Sequence, residues 1–305
     1  MNKNQFECVI VGGGAAGLSA GLILGRSKRK VMIIDENKPR NRVTHASHGF
    51  LSRDGIDPRE FKRISIEQLK KYPNVIYQKS RVEHVDKQDD MFILTTNDGE
   101  LFHSKRVIFS TGMKEKLPKI KGLREVYGTS VFPCPYCDGW ERKDEPLAII
   151  GSGEWLMHYV KLIYHWSKDV IVFTNGPANL SMEEKAECQA RQIQVVETVI
   201  SELKSTNGKL EEIVLETGKT YLRTSGFLLN TGEVQASTIP QQMGIVQDEM
   251  GGYVTSEIGE TKVKGLYIIG DAKNTFSGVI KAASEGYEIG AKINGEMVEE
   301  DWKSN

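Results

Sequence analysis

Apolar and polar positions along this chain fall into one layout that occurs twice. The stretch ECVIVGGGAAGLSAGLILGRSKRKVMIIDE, Glu7 to Glu36, runs apolar strand, glycine turn, apolar helix, short basic connection and apolar strand, and LAIIGSGEWLMHYVKLIYHWSKDVIVFTNG, Leu147 to Gly176, repeats that order. Each is a βαβ unit of the kind that builds a parallel sheet covered by helices. The two start about 140 residues apart, the scale of one domain. The pattern therefore predicts an α/β chain with two dinucleotide-binding, Rossmann-like domains. Elsewhere, NVIYQKSRVEHVDKQDDMFILTTNDGELFHSKRVIFSTG predicts a β-meander with a turn at Asp98-Gly99 and a last strand ending at Thr111-Gly112. The segment TKVKGLYIIGDAKN ends another apolar strand at Gly270-Asp271, and a final helix, apolar on one face, is predicted over roughly Gly278 to Glu300.

In the first unit Gly12, Gly14 and Gly17 stand in GxGxxG register. Gly12 permits the tight turn, Gly14 lets backbone approach a pyrophosphate, and Gly17 allows the helix to pack closely on the strand. The helix N-terminus then offers free amides to phosphate. Asp35, at the end of the second strand, is placed to accept hydrogen bonds from an adenosine ribose. In the second unit Gly151 and Gly153 make a possible nicotinamide-nucleotide turn, but Leu156 holds the third position and Thr174-Asn175 stand where a ribose-binding acid or phosphate-binding arginines are expected. A domain of this type without a bound nucleotide is an equal alternative.

Composition narrows the classes. At 305 residues two domains are the default, and a formal net charge of -1 gives no electrostatic reason to expect nucleic acid or an anionic membrane as partner. The uncharged run Cys8 to Gly25 is interrupted by three consecutive glycines and lacks the flanks of a signal peptide or anchor, so the chain is expected to be cytoplasmic. Of four cysteines, Cys8 and Cys188 are isolated, while Cys134-Pro135-Tyr136-Cys137 form one CxxC. Such a pair outside a secreted scaffold points to redox chemistry or metal. The remaining cysteines and histidines offer no further zinc-type pairing beyond His45/His48, so no metal is expected. A glutaredoxin is excluded because a second glycine turn begins 14 residues after Cys137.

Together these motifs resemble the flavin disulfide reductases of the low-molecular-weight thioredoxin reductase type. The resemblance rests on Gly12-Gly13-Gly14-Ala15-Ala16-Gly17 with Asp35, on Ser110-Thr111-Gly112, on Cys134-Pro135-Tyr136-Cys137-Asp138-Gly139 just before the second glycine turn, and on Thr261 to Gly270-Asp271. It implies a discontinuous FAD-binding domain, residues 1–116 and 239–305, and a small central redox domain, residues 117–238, of the NAD(P)H-binding type carrying the dithiol. It further implies that Gly270 and Asp271 meet the ribityl and phosphate region of FAD, that Val82 meets the adenine through its backbone, and that Thr111 and Gly112 line the cofactor with Gly12, Gly14, Ala15, Ala16, Gly17 and Asp35. Cys137 would face the flavin, Cys134 would attack an external sulfur, and Asp138 would relay the proton. A reactive cysteine must be partly thiolate near neutral pH, and its neighbour resolves the mixed disulfide. For Asp138, a solvated turn acid is the alternative.

The departures bear on function. Where the NADPH-using members carry an arginine-rich stretch after the second strand, this chain reads VFTNG, and where they carry Arg-Gln after the Gly-Asp motif it reads Gly278-Val279. A backbone amide at Val279 would still serve the flavin. His48, in HASHGF, replaces a glycine-rich segment and reads as a structural histidine or a flavin contact. The expected activity is an FAD-dependent thiol-disulfide oxidoreductase passing two electrons between FAD, the Cys134/Cys137 pair and a thioredoxin-like protein or small-molecule dithiol or disulfide, as a homodimer, with NADPH as possible donor. The alternatives are a dithiol oxidase using oxygen or a ferredoxin-type donor, as in similar flavoproteins of natural-product pathways, and a non-enzymatic flavoprotein redox sensor.

Overall fold

The computed structural model describes residues 4–304, and its elements fall into two compact units. The first comprises the chain up to Arg42, then Gly49–Lys114, then everything from Val234 onward; the second comprises Val43–His48 and Glu115–Glu233. The divisions lie at 114/115 and 233/234. They fall there because the strands Met113–Lys114 and Val234–Gln235 pair antiparallel and stay together in the first unit. The six residues 43–48 had no counterpart among the sequence expectations.

The first unit is built on a seven-stranded sheet. Val75–Lys79, Val31–Asp35, Gln5–Val11 and Leu101–Phe109 lie side by side in parallel, and Leu266–Ile268 pairs parallel with the far end of Leu101–Phe109. Ile10 sits in register between Ile33 and Ile108, and all three are fully buried, as both faces of a parallel sheet require. Helix Ala15–Arg26 covers one face and packs against helix Val279–Ser304. That approach depends on Gly286, where a Cβ would stand 2.0 Å from the Ala16 carbonyl oxygen. One expectation is corrected here. The meander was expected to begin at Asn74, but Val75–Lys79 is a parallel strand against Val31–Asp35, and only Val82–Gln88, Met91–Thr96 and Leu101–Phe109 run antiparallel. Alternation reports an extended segment without naming its neighbour. The Asp98-Gly99 turn forms, with Gly99 at φ +81°.

In the second unit five strands run parallel in the order Gln194–Val196, Val170–Phe173, Leu147–Ile150, Ser225–Leu228, Val131–Phe132. Helix Leu156–Trp166 connects Leu147–Ile150 to Val170–Phe173, and helix Met182–Ala190 starts at a capping box of Ser181 and Glu184. A three-stranded antiparallel sheet of Ile200–Thr206, Lys209–Leu215 and Thr220–Leu222 completes it. The chain is thus a mixed α/β protein with two parallel-sheet cores. No helix among the described residues is long and apolar enough to cross a membrane.

Candidate functional site

The first glycine turn separates its glycines by what surrounds them. Gly12 has φ +106° and a Cβ there would stand 2.5 Å from the Ser110 carbonyl oxygen; at Gly17 a Cβ would stand 2.1 Å from the Gly12 oxygen. Both are demanded by the fold itself. Gly14 instead faces nothing within 4 Å, and it is the N-cap of helix Ala15–Arg26, whose first turn carries neither a side-chain cap nor an acid. A backbone that is open on that side and ends in helix amides is able to hold phosphate, with Ala15 and Ala16 in its first turn. Ser110, at the end of the neighbouring strand, donates its hydroxyl to the Gly12 oxygen at 2.8 Å and fixes the turn.

Asp35 stands at the tip of the second strand, 6% exposed, and is already held by protein donors. Its Oδ1 accepts from the Gly13 amide at 3.0 Å, and Oδ2 accepts from the Tyr77 hydroxyl at 2.6 Å and from the Lys62 ammonium. Burial works against its charge, yet the hydrogen bonds from Lys62 and Tyr77, the Lys62 charge and the Gly13 amide hold its carboxyl below the usual range. A carboxylate has about four acceptor positions, so room for a ribose hydroxyl remains. Tyr77, half-buried beside this anion, has its phenol pushed up by burial and by the Asp35 hydrogen bond and charge.

Near the other end of the unit, Gly270 takes φ +68° and donates its amide to Glu285 Oε2 at 2.7 Å. Asp271 follows. Its Oδ1 accepts from the Ser277 amide and hydroxyl at 2.9 and 2.7 Å, and its Oδ2 accepts from Arg40 at 3.0 Å. Gly112, at φ +65°, lies beside Asp271, with a Cβ there 3.9 Å from that of the acid. Thr111 carries a buried hydroxyl oxygen with no hydrogen-bond partner among the described residues. A buried hydroxyl of this kind is able to bond a ligand or an ordered water. Val82 is buried at the start of its strand, and Val279 is the first residue of the last helix.

The second glycine turn is occupied from within. The Ser152 amide donates to Asn230 Oδ1 at 2.9 Å, and a Cβ at Gly151 would stand 2.6 Å from the Leu229 Cβ. Gly153, at φ +102°, is open. Leu156 is 0% exposed and belongs to the core, and the helix begins there, three residues after the glycine instead of directly behind it. The Thr174 hydroxyl bonds the Gly176 oxygen at 2.5 Å and Asn175 Oδ1 accepts the Ile200 amide at 2.8 Å, so both residues at the ribose position serve the fold.

The dithiol follows the edge strand Val131–Phe132. Cys134 and Cys137 are joined as a disulfide with Cα atoms 5.3 Å apart, and Cys134 caps the helical turn Pro135–Asp138, its Sγ accepting from the Cys137 amide at 3.1 Å. Pro135 at the first helical position supplies the φ that the turn needs. Gly139 is required for space, since a Cβ would meet the Pro135 oxygen at 2.4 Å and the Trp166 ring at 2.8 Å. Cys134 is buried and Cys137 half-buried. Asp138 is 8% exposed, and desolvation by burial pushes its carboxyl up to about 7, with His48 lowering it, Glu141 raising it and Arg142 lowering it. A carboxyl that titrates near neutral pH can give or take a proton under ordinary conditions. Cys8 and Cys188 are buried free thiols, and no metal-binding cluster occurs among the described residues.

Several residues here escaped the sequence reading. Glu285 stands four residues before Ile289 on the buried stripe of the last helix, and Lys62 stands four after Pro58 on that of helix Pro58–Leu69. A charge in an apolar stripe was the available signal. Asn230, Arg40 and the partners of His48 had none, because their contacts are made across the fold.

Comparison with known proteins bears on the whole chain. The sequence profile of the family described as pyridine nucleotide-disulphide oxidoreductase matches residues 6–286. A protein described as a probable thioredoxin reductase from Arthroderma benhamiae is 27% identical, over 89% of this chain and 75% of that one. Among solved structures, a putative thioredoxin reductase TrxB from Bacillus anthracis superposes with a TM-score of 0.93 at 37% identity, covering 97% of this chain and 99% of that one. A protein named HlmI superposes with a TM-score of 0.93 at 28% identity, covering 100% and 96%.

Proposed function

The chain belongs to the pyridine nucleotide-disulphide oxidoreductase family and is a thioredoxin reductase-like oxidoreductase, and from that premise we propose that it is an FAD-dependent enzyme that moves two electrons between the Cys134/Cys137 pair and an external disulfide or dithiol. The observation that carries the reading is the Cys134–Cys137 disulfide on a helical turn next to the buried Asp138, whose carboxyl is pushed up to about 7. In the reducing direction the Cys134 thiolate attacks one sulfur of the external disulfide, that S–S bond breaks, and the departing thiolate takes a proton from Asp138. Cys137 then displaces the second external thiol and re-forms the intramolecular disulfide, so two electrons and two protons leave the pair. The partner is a thioredoxin-like protein or a small-molecule disulfide.

FAD fits the first unit. Gly12, Gly14, Ala15, Ala16 and Gly17 would hold its pyrophosphate, Asp35 its ribose, and Gly270 and Asp271 the ribityl region, with Val82 beside the adenine. Thr111 has a buried hydroxyl without a partner among the described residues, and it would line the cofactor with Gly112 and Val279. When bound, FAD supplies the two-electron couple that the protein's own side chains lack.

A second reading reverses the flow: a dithiol reduces the Cys134/Cys137 disulfide and the electrons pass onward to oxygen instead of arriving from NADPH or a ferredoxin-type donor. It is favoured by the second glycine turn, where Asn230 takes the Ser152 amide and Thr174 and Asn175 are committed to the fold. The FAD-loaded protein, mixed anaerobically with NADPH, NADH or a reduced dithiol, distinguishes the directions by its visible flavin absorbance. Bleaching by NADPH supports the reductase; bleaching by dithiol alone, with recovery in air, supports the oxidase. Cys134→Ser is expected to lose bleaching by dithiol and turnover of any disulfide, while bleaching by NADPH, which reaches the flavin before the cysteines, is kept; dithiol-driven bleaching that survives the substitution would remove the pair from the reaction. A flavoprotein sensor without turnover would give no steady conversion of any sulfur substrate.

A further inference from the structure

The segment Val43–His48 leaves the first unit, joins the second and returns. It is seated there tightly, since Gly128 has φ +81° and a Cβ on it would stand 2.6 Å from the Val43 carbonyl oxygen. At the end of the segment the His48 imidazole has both nitrogens engaged. Nδ1 lies 2.7 Å from the carbonyl oxygen of Cys137, and Nε2 lies 3.5 Å from the carboxylate of Glu141. A carbonyl only accepts, so Nδ1 carries the proton of that bond and Nε2 is the nitrogen turned to the carboxylate. On the other side of the dithiol, the Tyr159 hydroxyl donates to the Pro133 carbonyl at 2.9 Å. The loop that holds the two sulfurs is thus held by a side chain at each end.

We propose that His48 is a positioning residue of the dithiol, tying the Cys137 end of the loop through Nδ1 and setting, through the charge on its Nε2 side, whether Asp138 holds its proton. The proposal rests on the functional reading given above. Four groups are electrostatically linked to Asp138: His48 from the inserted segment, Glu141 and Arg142 from the turn that follows the dithiol, and Tyr159 from helix Leu156–Trp166. Of these the imidazole is the side chain that can stand as a cation or as a neutral group with its Nδ1–H bond to Cys137 intact. When it is cationic it favours the Asp138 carboxylate; when it is neutral that help is gone and burial favours the acid. Opening the Cys134–Cys137 bond generates two thiols that need two protons, and closing it releases both, so a pair of groups exchanging charge beside the loop matches the protons that the dithiol must gain and lose.

Asparagine separates the two roles, because its side-chain amide can still donate to the Cys137 carbonyl but carries no charge. The FAD-loaded protein is reduced, and the rate of iodoacetamide alkylation of Cys134 and Cys137 is followed from about pH 5 to about pH 9, with the modified cysteine identified by peptide mass. In the wild type the rate profile is expected to carry a limb near pH 7 that Asp138→Asn flattens. In His48→Asn that limb is expected to move up by about half a pH unit or more, with the plateau rate kept within about twofold. In His48→Ala the limb moves equally and the plateau rate falls as well. Superposition of the His48→Asn and wild-type profiles, or a limb that persists in Asp138→Asn, would overturn the proposal. His48→Gln serves in its place if the alanine variant fails to fold. A wild-type pair that exchanges with no dithiol or disulfide would overturn the functional reading instead, a result that the alkylation profile does not share.

Discussion

Asp35 and Asp138 are buried to nearly the same depth, 6% and 8% exposed, and their carboxyls are pushed in opposite directions. Desolvation is the largest influence on both and raises both. At Asp35 it is overcome by the Lys62 ammonium, the Tyr77 hydroxyl and the Gly13 amide. At Asp138 no side-chain hydrogen-bond donor is found among the described residues, and the charges of His48, Glu141 and Arg142 oppose one another. The lesson is that burial does not set the chemistry of a carboxyl; its donors do. Asp35 is thereby a permanent anion that fixes the glycine turn through Gly13, and Asp138 is a group free to exchange its proton beside a disulfide.

Stripping Asp35 of its cation is expected to have the largest effect. Lys62→Met leaves a buried carboxylate with two neutral donors, and is expected to cost about 3–5 kcal/mol in denaturant unfolding at neutral pH. The sign follows from the lowered carboxyl: stability from the pair is present above the unfolded pKa and lost as pH falls through the folded one, so the penalty shrinks in acid. Equal penalties at neutral and acid pH would mean that Lys62 acts by packing alone.

Asp138→Asn should do the reverse. Its folded pKa of about 7 lies above the unfolded value of 3.8, so the stability of the buried acid is present below about pH 4 and lost as pH rises through about 7. Unfolding at pH 8 is therefore expected to show the variant more stable than the wild type by on the order of 4 kcal/mol, with little difference at pH 4. A constant difference across that range would sink the assignment.

Tyr77→Phe removes one donor from Asp35 and keeps the ring. A loss of about 1 kcal/mol is expected at neutral pH, measured by thermal unfolding, and a gain would show that the hydroxyl is not needed there. The smallest effect belongs to Glu141→Gln. Removing a like charge should lower the Asp138 midpoint by a few tenths of a pH unit, read from the same alkylation profile that tests His48. A rise would reverse the sign of that neighbour.

Legibility from sequence follows the same division between local and long-range causes. The two strand–turn–helix units, the α/β class and the family were readable because strands of unbroken apolar residues and GxGxxG spacing are local. The strand Val75–Lys79 was misread as part of the meander because its pairing with Val31–Asp35 is decided by the sheet. The gap at Leu156 was legible, yet the turn's partner was not: only the fold shows Asn230, 78 residues from Ser152 in sequence, accepting the Ser152 amide with its side-chain oxygen. Lys62 and Glu285 left a trace as charges on apolar stripes. His48 stood out as a residue type without revealing that its partners would be the Cys137 backbone and Glu141.

The inserted segment Val43–His48 also limits how this protein can be cut and recombined. Residues 115–233 look like a cassette in the linear sequence, with one entry and one exit. A gene fusion or domain exchange made at those borders would transplant both cysteines and Asp138 but leave the imidazole and the backbone that covers Gly128 in the donor. Chimeras of this chain with its relatives should therefore exchange residues 43–48 together with the central block, and lineages that shuffled the block alone should differ at both ends at once.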